Sequence, residues 1–297
     1  MFWIRLRSSV ILVIAALLLL FAGGWVLGAG LFVLSLTAYL ELMRAAGRAR
    51  TAAGTEKKET RAEEKPEMPP LLAKGSVGIL EGIGLAGTVL YYAVLLTEEE
   101  PIYLLGVLGL VFLGMMAAYV LTFPAHQAGQ VMTAFFSFFY GPVLFSFLWL
   151  TRELPGGIYM VWLIFISSWI CDTCAYLSGM AFGRHKLTPV LSPKKSVEGA
   201  VGGVLGSALV GALFGHLLLN GIFEDQEMAL ICAVLCAAGA VISQIGDLAA
   251  SGIKRDHGIK DYGRLIPGHG GVMDRFDSVL FTAPIIYYLA ILLISFE

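Results

Sequence analysis

The sequence predicts an all-α, polytopic integral membrane protein with about nine transmembrane helices and a cytoplasmic N-terminus. Of its 297 residues, 58% are hydrophobic and only 14% are charged, and the mean hydropathy is +0.80. Apolar stretches of about twenty residues recur along the chain, and each is long enough to cross the hydrocarbon core of a bilayer as a helix. These stretches are continuous rather than alternating, which argues against spanning strands.

Nine apolar segments follow one another along the chain. They are residues 9–22, 25–43, 76–96, 101–122, 128–150, 157–181, 198–220, 227–251 and 279–296. The first resembles a signal peptide, but no small-x-small cleavage site followed by soluble sequence is evident, so we expect it to be the first span.

Composition divides the chain into four regions. The stretch 47–70 is charged, rich in Ala and free of aromatic residues, which is typical of a flexible linker. We therefore expect an N-terminal transmembrane hairpin over 1–46, a flexible cytoplasmic linker over 47–74, central transmembrane helices over 75–154, and a catalytic transmembrane region over 155–297. Within the last region, cytoplasmic loops are predicted at 182–198 and 252–278.

The cations fix the predicted orientation. Every Lys and Arg except Arg152 falls in the N-terminal stretch or in the loops that lie on the same side of the membrane as it. The positive-inside rule places that side in the cytoplasm. We expect a multi-pass protein of the cytoplasmic (inner) membrane whose polar loops face the cytoplasm, with the lipid bilayer and no nucleic acid as partner.

Small residues within the apolar segments have structural explanations. Gly199, Gly203, Ser207, Gly211 and Gly215 recur every four residues, so one side of the seventh segment permits close helix packing, either within the chain or in a dimer. The cysteine pairs 171/174 and 232/236 lie in apolar helices, where we expect them to act as small apolar residues rather than as zinc ligands.

Carboxylates at membrane depth are candidates for function, because a buried charge is costly unless it is paired or solvated. Asp172 and Asp247 lie near the predicted cytoplasmic ends of the sixth and eighth segments. Glu41 and Glu81 are weaker candidates, for which a structural role is the simpler interpretation.

Residues 254–278, "KRDHGIKDYGRLIPGHGGVMDRFDS", concentrate polar chemistry in one loop. Asp247 and Asp274 bracket the loop, and Asp277 shares a helix face with Asp274. The loop carries cations and glycines, namely Lys254, Arg255, Lys260, Arg264, Gly268, His269, Gly270 and Gly271. Carboxylates, cations and glycines together suit a magnesium-bound polyphosphate.

A second basic loop, 183–199, carries Lys194 and Lys195 and follows Asp172 on the same predicted side. The two loops would enclose one nucleotide or phosphorylated metabolite. Because the site lies at the bilayer boundary, we expect one substrate to be a lipid.

Residues 251–277, "SGIKRDHGIKDYGRLIPGHGGVMDRFD", resemble the signature of the phosphatidate cytidylyltransferases, the CDP-diacylglycerol synthases. Upstream, "CDTCAYLSGMAFGRHKLTPVLSPKKSVEG" resembles a second stretch of that family, with Cys174 in place of Gly, Arg184 in place of Lys and Ser196 in place of Thr. The resemblance is good over about 155–297, whereas the N-terminal half is similar only in its spans.

The resemblance implies a nucleotidyltransferase of phospholipid biosynthesis. Such an enzyme transfers CMP from CTP to phosphatidic acid, giving CDP-diacylglycerol and pyrophosphate at the cytoplasmic face. The family also implies Mg²⁺, with a second metal ion beside it, and a homodimer.

The resemblance further implies roles for residues of this sequence. Catalytic roles fall to Asp172, Asp247, Lys254, His269 and Asp274. Metal binding falls to Asp247 and Asp274, supported by Asp172 and Asp277. Substrate binding falls to Lys194, Lys195, Ser251, Arg255, Lys260, Asp261, Gly270, Gly271 and Arg275.

Three alternatives stay open at this point. A polyprenol kinase or an archaeol-type cytidylyltransferase would share the metal-phosphate chemistry and differ in its acceptor. A CDP-alcohol phosphotransferase is disfavoured, because its acidic pattern does not fit Asp274 and Asp277, which are three residues apart. An ion-coupled transporter would use Asp172 and Asp247 as relays, but it would not require the contiguous polar loop.

Overall fold

The computed structural model describes residues 13–58, 78–97, 100, 102–223, 226–266, 268 and 270–295. Its helices are α1 Val13–Ala22, α2 Gly24–Lys58, α3 Ile79–Thr97, α4 Ile102–Leu121, α5 Ala128–Glu153, α6 Gly157–Phe182, α7 Val197–Leu219, α8 Met228–Asp256 and α9 Met273–Leu293. A two-stranded antiparallel hairpin, β1 Lys186–Thr188 and β2 Ser192–Ser196, joins α6 to α7.

Eight of these helices, α2 to α9, are long and apolar enough to cross a membrane. Large apolar side chains such as Leu113 in α4 and Leu209 in α7 point outward and are 65% and 73% exposed. An outer surface of this kind is stable only in contact with lipid or another apolar partner. The prediction of an all-α, polytopic membrane protein is confirmed.

Three helix boundaries differ from those predicted. Helix α2 continues to Lys58, into the stretch expected to be a flexible linker, and the rest of that stretch lies within residues 59–77, outside the described part. Helix α8 continues to Asp256, and α9 begins at Met273 rather than at residue 279. Hydropathy marks only the apolar part of a helix, whereas the hydrogen-bond ladder extends into its polar ends.

Three of the described spanning helices contain a π-helical turn, and in α7 it covers the last five residues, Gly215–Leu219. In α5 this turn covers Phe139–Val143 and includes Pro142, which has no N–H to donate to the ladder. In α6 it covers Ile166–Ile170 and ends two residues before Asp172. The turn in α6 therefore changes the direction in which the Asp172 side chain points, as π-turns near functional sites often do.

The glycine stripe of α7 packs within the chain. A Cβ atom at Gly203 would meet the backbone and sulfur of Cys171 in α6, and one at Gly211 would meet Cys236 in α8. Ser207 donates a hydrogen bond to the Ile166 carbonyl at 3.3 Å. Because these contacts cover the stripe, the alternative in which it forms a dimer interface is wrong.

The two ends of the bundle differ in charge. The β-hairpin and the α8–α9 loop lie at one end, together with the C-terminal half of the apolar part of α2. Arg152 lies at the other end, where its Nε donates to the Leu20 carbonyl at 3.1 Å. The fold thus gathers the basic loops of the described chain at one end of the bundle.

Candidate active site

Four carboxylates from three helices line one cavity of about 460 Å³. Asp172 comes from α6, Asp247 from α8, and Asp274 and Asp277 from the first two turns of α9. Lys254 and Arg275 also line this cavity, which we call the carboxylate cavity. The structure thereby brings together all four predicted metal ligands, although they are up to 105 residues apart in sequence.

Asp247 and Asp172 form the open side of the carboxylate cavity. Asp247 is ion-paired with Lys195 of strand β2, and the two side chains are 31% and 27% exposed. Asp172 lies close enough to Asp247 for the two negative charges to repel each other, and Lys195 partly offsets this repulsion. These two carboxylates are therefore accessible to a cation that enters the cavity.

Asp274 is the most fully hydrogen-bonded carboxylate of the cavity. Its Oδ2 accepts the backbone N–H groups of Tyr262 at 2.8 Å and Gly271 at 2.9 Å. Its Oδ1 accepts from Lys254 Nζ at 3.1 Å, and only 3% of its side chain is exposed. Asp274 thus holds the α8–α9 loop together, and binding a metal through Oδ1 would require Lys254 to move away.

Asp277 lies one turn further along α9 and is 8% exposed. Its Oδ1 accepts the backbone N–H of Ser278 at 2.8 Å. The charges of Asp247 and Asp172 act on it unfavourably, and that of Lys254 acts favourably. Asp277 is therefore placed as a deep carboxylate with few partners for its charge among the described side chains.

Tyr262 anchors the α8–α9 loop and was not recognised from sequence, because nothing distinguishes a single loop tyrosine. Its hydroxyl donates to the Ala250 carbonyl at 3.0 Å, and its ring lies 5.4 Å below Lys254 Nζ. Burial raises the pKa of the Tyr262 phenol above its usual range, and the negative charges of Asp277 and Asp274 raise it further. The phenol therefore stays protonated and acts as a hydrogen-bond donor.

Glu41 of α2 is a second residue of this region that sequence reasoning undervalued. Its carboxylate accepts the backbone N–H groups of Val272 at 3.1 Å and Met273 at 2.9 Å. Glu41 therefore contacts the start of α9, directly beside Asp274.

The carboxylate cavity suits magnesium by the chemistry of its donors. Hard carboxylate oxygens are the side-chain ligands that Mg²⁺ prefers, and it commonly takes one or two of them together with water and phosphate oxygens. Within the described residues, no three His, Cys, Asp or Glu side chains already converge on one point that a metal could occupy. A substrate phosphate would therefore have to complete the coordination shell.

The comparison with known proteins gives the family. The sequence profile of the cytidylyltransferase family matches residues 3–293. The chain belongs to the cytidylyltransferase family. Proteins named phosphatidate cytidylyltransferase from Staphylococcus saprophyticus and Staphylococcus aureus are each 37% identical to it over 147 residues, and one from Staphylococcus epidermidis is 35% identical over 147 residues. The alignments cover 49–50% of this chain and 54% of each relative, so the chain spans about half the length of the relatives it matches.

This member of the cytidylyltransferase family has a second cavity of about 420 Å³ beside the first. Lys194, Lys195, Gly199 and Gln244 are among the residues that line it, and Asp172 lines both cavities. We call it the lysine cavity. It lies between the β-hairpin and helices α6 to α8, and none of the described residues that line it comes from the α8–α9 loop.

A third cavity, of about 480 Å³, adjoins the carboxylate cavity. Its lining is apolar and comes from α1, α2, α5, α6 and α9. Ala16 and Phe276 line both this apolar cavity and the carboxylate cavity. The carboxylates of this family member thus lie between a basic compartment and an apolar one.

Several predicted substrate-binding residues of the family signature lie away from these cavities. Arg255, Lys260 and Asp261 are exposed on the α8–α9 loop and are not among the described residues that line the three cavities. Ser251 is half-buried one turn beyond Asp247 in α8. His269 lies outside the described residues.

The loop glycines have local roles in the structure. Gly270 has a φ of +87°, and a Cβ atom there would crowd Asp274 Oδ2 at 2.7 Å. Gly271 donates its N–H to the same oxygen. Both predicted substrate-binding glycines therefore contact Asp274.

Proposed function

We propose that the protein is a magnesium-dependent phosphatidate cytidylyltransferase that makes CDP-diacylglycerol and pyrophosphate from CTP and phosphatidate. The observation that carries this proposal is the order of the three cavities. A nucleoside triphosphate needs cations, a magnesium ion needs carboxylates, and a diacyl lipid needs apolar walls. The lysine, carboxylate and apolar cavities offer these three environments side by side.

The substrates follow this order in the proposed complex. Lys194 and Lys195 bind the triphosphate of CTP through charge-assisted hydrogen bonds. Asp172, Asp247 and Asp277 hold magnesium, which when bound offsets the charge that develops on the transferred phosphate and on the pyrophosphate leaving group. The phosphate of the lipid enters the carboxylate cavity, and an acyl chain extends past Ala16 and Phe276 into the apolar cavity.

Within this complex the chemistry is a single displacement. An oxygen of the phosphatidate phosphate attacks the α-phosphorus of CTP, a new P–O bond forms, and the bond from the α-phosphorus to the bridging oxygen breaks. Pyrophosphate leaves with that bridging oxygen. Lys195 and Lys254 orient the phosphates and neutralise part of their charge, and no covalent enzyme intermediate is required.

In this proposal Lys195 has two partners during the cycle. In the structure it is bound to Asp247. Asp247 would hold magnesium once the ion and CTP are bound, and Lys195, released from Asp247, would then contact the triphosphate. Asp274 keeps Lys254 and the α8–α9 loop in place throughout.

The proposed site faces the cytoplasm in the inner membrane. Support comes from the distribution of cations, because the basic loops of the described chain share the end of the bundle that holds the carboxylates, and Arg152 lies at the other end. A homodimer remains part of the proposal, but its interface must use a face other than the glycine stripe of α7.

The purified protein supplied with CTP, phosphatidate and Mg²⁺ is expected to release pyrophosphate and form a CDP-lipid. UTP and ATP in place of CTP, and diacylglycerol, polyprenol and an archaeol-type ether lipid in place of phosphatidate, test the base and the acceptor. Asp172→Asn is the matched inactive control. Turnover of another nucleotide and acceptor pair, with none for CTP and phosphatidate, would reject the proposal.

A further inference from the structure

Glu41 connects the N-terminal half of the protein to the candidate site. It lies in α2 and is 5% exposed, and its two oxygens accept the backbone N–H groups of Val272 and Met273, which are 231 and 232 residues away in sequence. These N–H groups belong to the start of α9 and have no partner within that helix. Glu41 therefore supplies a cap that the local sequence of α9 lacks, since Val272 has no side-chain acceptor.

The surrounding loop is built around the Glu41 carboxylate. A methyl group on either Gly263 or Gly271 would overlap Glu41 Oε1. The two glycines lie on opposite sides of the loop turn, where Ile266 donates its N–H to the Gly270 carbonyl at 2.9 Å. Both arms of the loop thus approach one carboxylate more closely than any residue with a side chain would allow.

The position of this cap matters for the carboxylate cavity. Asp274 directly follows the two capped residues, and Asp277 lies one turn later. A negative charge at the N-terminus of a helix is favoured by the helix dipole, and here it also fixes the direction in which α9 begins. Without Glu41, the first turn of α9 would lose two hydrogen bonds and the Asp274 and Asp277 side chains would lose their fixed placement.

We propose that Glu41 is a positioning residue for the cytidylyltransfer reaction, which holds the start of α9 so that Asp277 faces the incoming magnesium and Asp274 holds Lys254 beside the phosphates. This inference rests on the proposed function for its kinetic part. It gives the N-terminal hairpin a direct part in forming the active site.

The test compares Glu41→Gln with Glu81→Gln, a matched change of a second glutamate at the same end of the protein. We expect Glu41→Gln to lower kcat by about 10- to 100-fold, as losses of groups that orient metal ligands typically do. The Mg²⁺ concentration for half-maximal rate should rise, while KM for CTP changes less than about threefold, because the lysine cavity is untouched. Glu81→Gln should stay within about twofold of the wild type in all three quantities.

A measurement without substrate separates positioning from the reaction itself. Hydrogen exchange of the amides of residues 271–275 should become faster in Glu41→Gln, while exchange in α7 remains as in the wild type. Because this measurement needs neither CTP nor phosphatidate, it still tests the Glu41 contact if the proposed reaction proves wrong.

The two glycines provide a coupling test. Gly263→Ala should lower kcat in the same way as Glu41→Gln, because the added methyl group displaces the carboxylate. In Glu41→Ala the carboxylate is absent and the Gly271 Cα atom at 3.0 Å is the close contact that remains. Glu41→Ala/Gly263→Ala should therefore be at most about twofold slower than Glu41→Ala alone. The inference would be overturned if the effects of Glu41→Ala and Gly263→Ala on kcat were strictly additive. It would also be overturned if Glu41→Gln left kcat, the Mg²⁺ dependence and the hydrogen exchange unchanged.

Discussion

The variant Asp274→Asn tests whether Asp274 stabilises the structure of the site, in contrast to carboxylates that face the substrate. In the wild type, Asp274 accepts two backbone N–H groups and the ammonium group of Lys254. Asparagine can keep the two backbone hydrogen bonds through its carbonyl oxygen, but its NH₂ group then points at the Lys254 cation. The change therefore leaves a lysine that is only 17% exposed without its counter-charge.

The size of this effect follows from the burial of the pair. Breaking a buried charged pair by removing one partner, with loss of a charge-assisted hydrogen bond, costs about 2–4 kcal/mol of folding free energy. For a protein of this size we expect an apparent Tm about 5–15 °C below that of the wild type. Asp172→Asn should behave in the opposite way, because it relieves repulsion with Asp247. Its apparent Tm should be unchanged or slightly higher.

The assay is thermal unfolding of the purified variants in one detergent at one heating rate, followed by tryptophan fluorescence, since membrane proteins often unfold irreversibly. Asp256→Asn, an exposed carboxylate at the end of α8, is the control and should stay within about 1 °C of the wild type. Both Asp274→Asn and Asp172→Asn should lose cytidylyltransfer. The assignment of a structural role to Asp274 and of a substrate-facing role to Asp172 is refuted by either of two results. One is a wild-type Tm for Asp274→Asn. The other is a decrease in Tm for Asp172→Asn as large as that for Asp274→Asn.

Three further predictions concern the cavities and the helix packing. Lys195→Met should raise KM for CTP about tenfold, because it removes a charge-assisted phosphate contact. The Tm should change little, because the Lys195–Asp247 ion pair is partly exposed. An unchanged KM would remove Lys195 from the triphosphate site. Gly203→Leu should prevent accumulation of folded protein, because the new side chain would meet the backbone of α6. The control Gly109→Leu places its side chain in open space and should accumulate normally. Fluorescence-detected size-exclusion chromatography measures the amount of folded protein for both variants. Ala16→Leu should slow turnover of long-chain phosphatidate about tenfold and leave turnover of dihexanoyl phosphatidate nearly unchanged. The outward-facing Ala117→Leu is the control. Equal slowing of turnover for both lipids would exclude an acyl chain from the apolar cavity.

The membrane class and the main candidate residues were available from sequence because they depend on local quantities. Lipid requires continuous apolar segments, and hydropathy along the chain detects these without knowledge of the fold. Intramembrane carboxylates such as Asp172 and Asp247 are conspicuous for the same reason, since each is costly at its depth. The family signature added Asp274 and Asp277 to the candidate residues. Without it, helix capping would have been a sufficient explanation for both.

The division of labour among the carboxylates was not available from sequence. Asp247 and Asp274 bracket the same polar loop in the sequence, yet Asp274 is surrounded by hydrogen-bond donors and Asp247 faces an open cavity. The difference depends on where the α8–α9 loop folds back, which brings the backbone N–H groups of Tyr262 and Gly271 to the same oxygen. Hydropathy and motif spacing contain no information about backbone groups.

The sequence by itself determined that this protein spans a membrane as helices and that it collects carboxylates and cations at one end, because burial in lipid constrains each segment separately. The tertiary structure decided that Glu41 caps α9, that the glycine stripe of α7 packs inward, and that the carboxylates lie between a basic and an apolar cavity. These features depend on which distant segments meet. These tertiary contacts are stabilised by hydrogen bonds and packing between residues up to 232 positions apart, and local sequence patterns do not predict them.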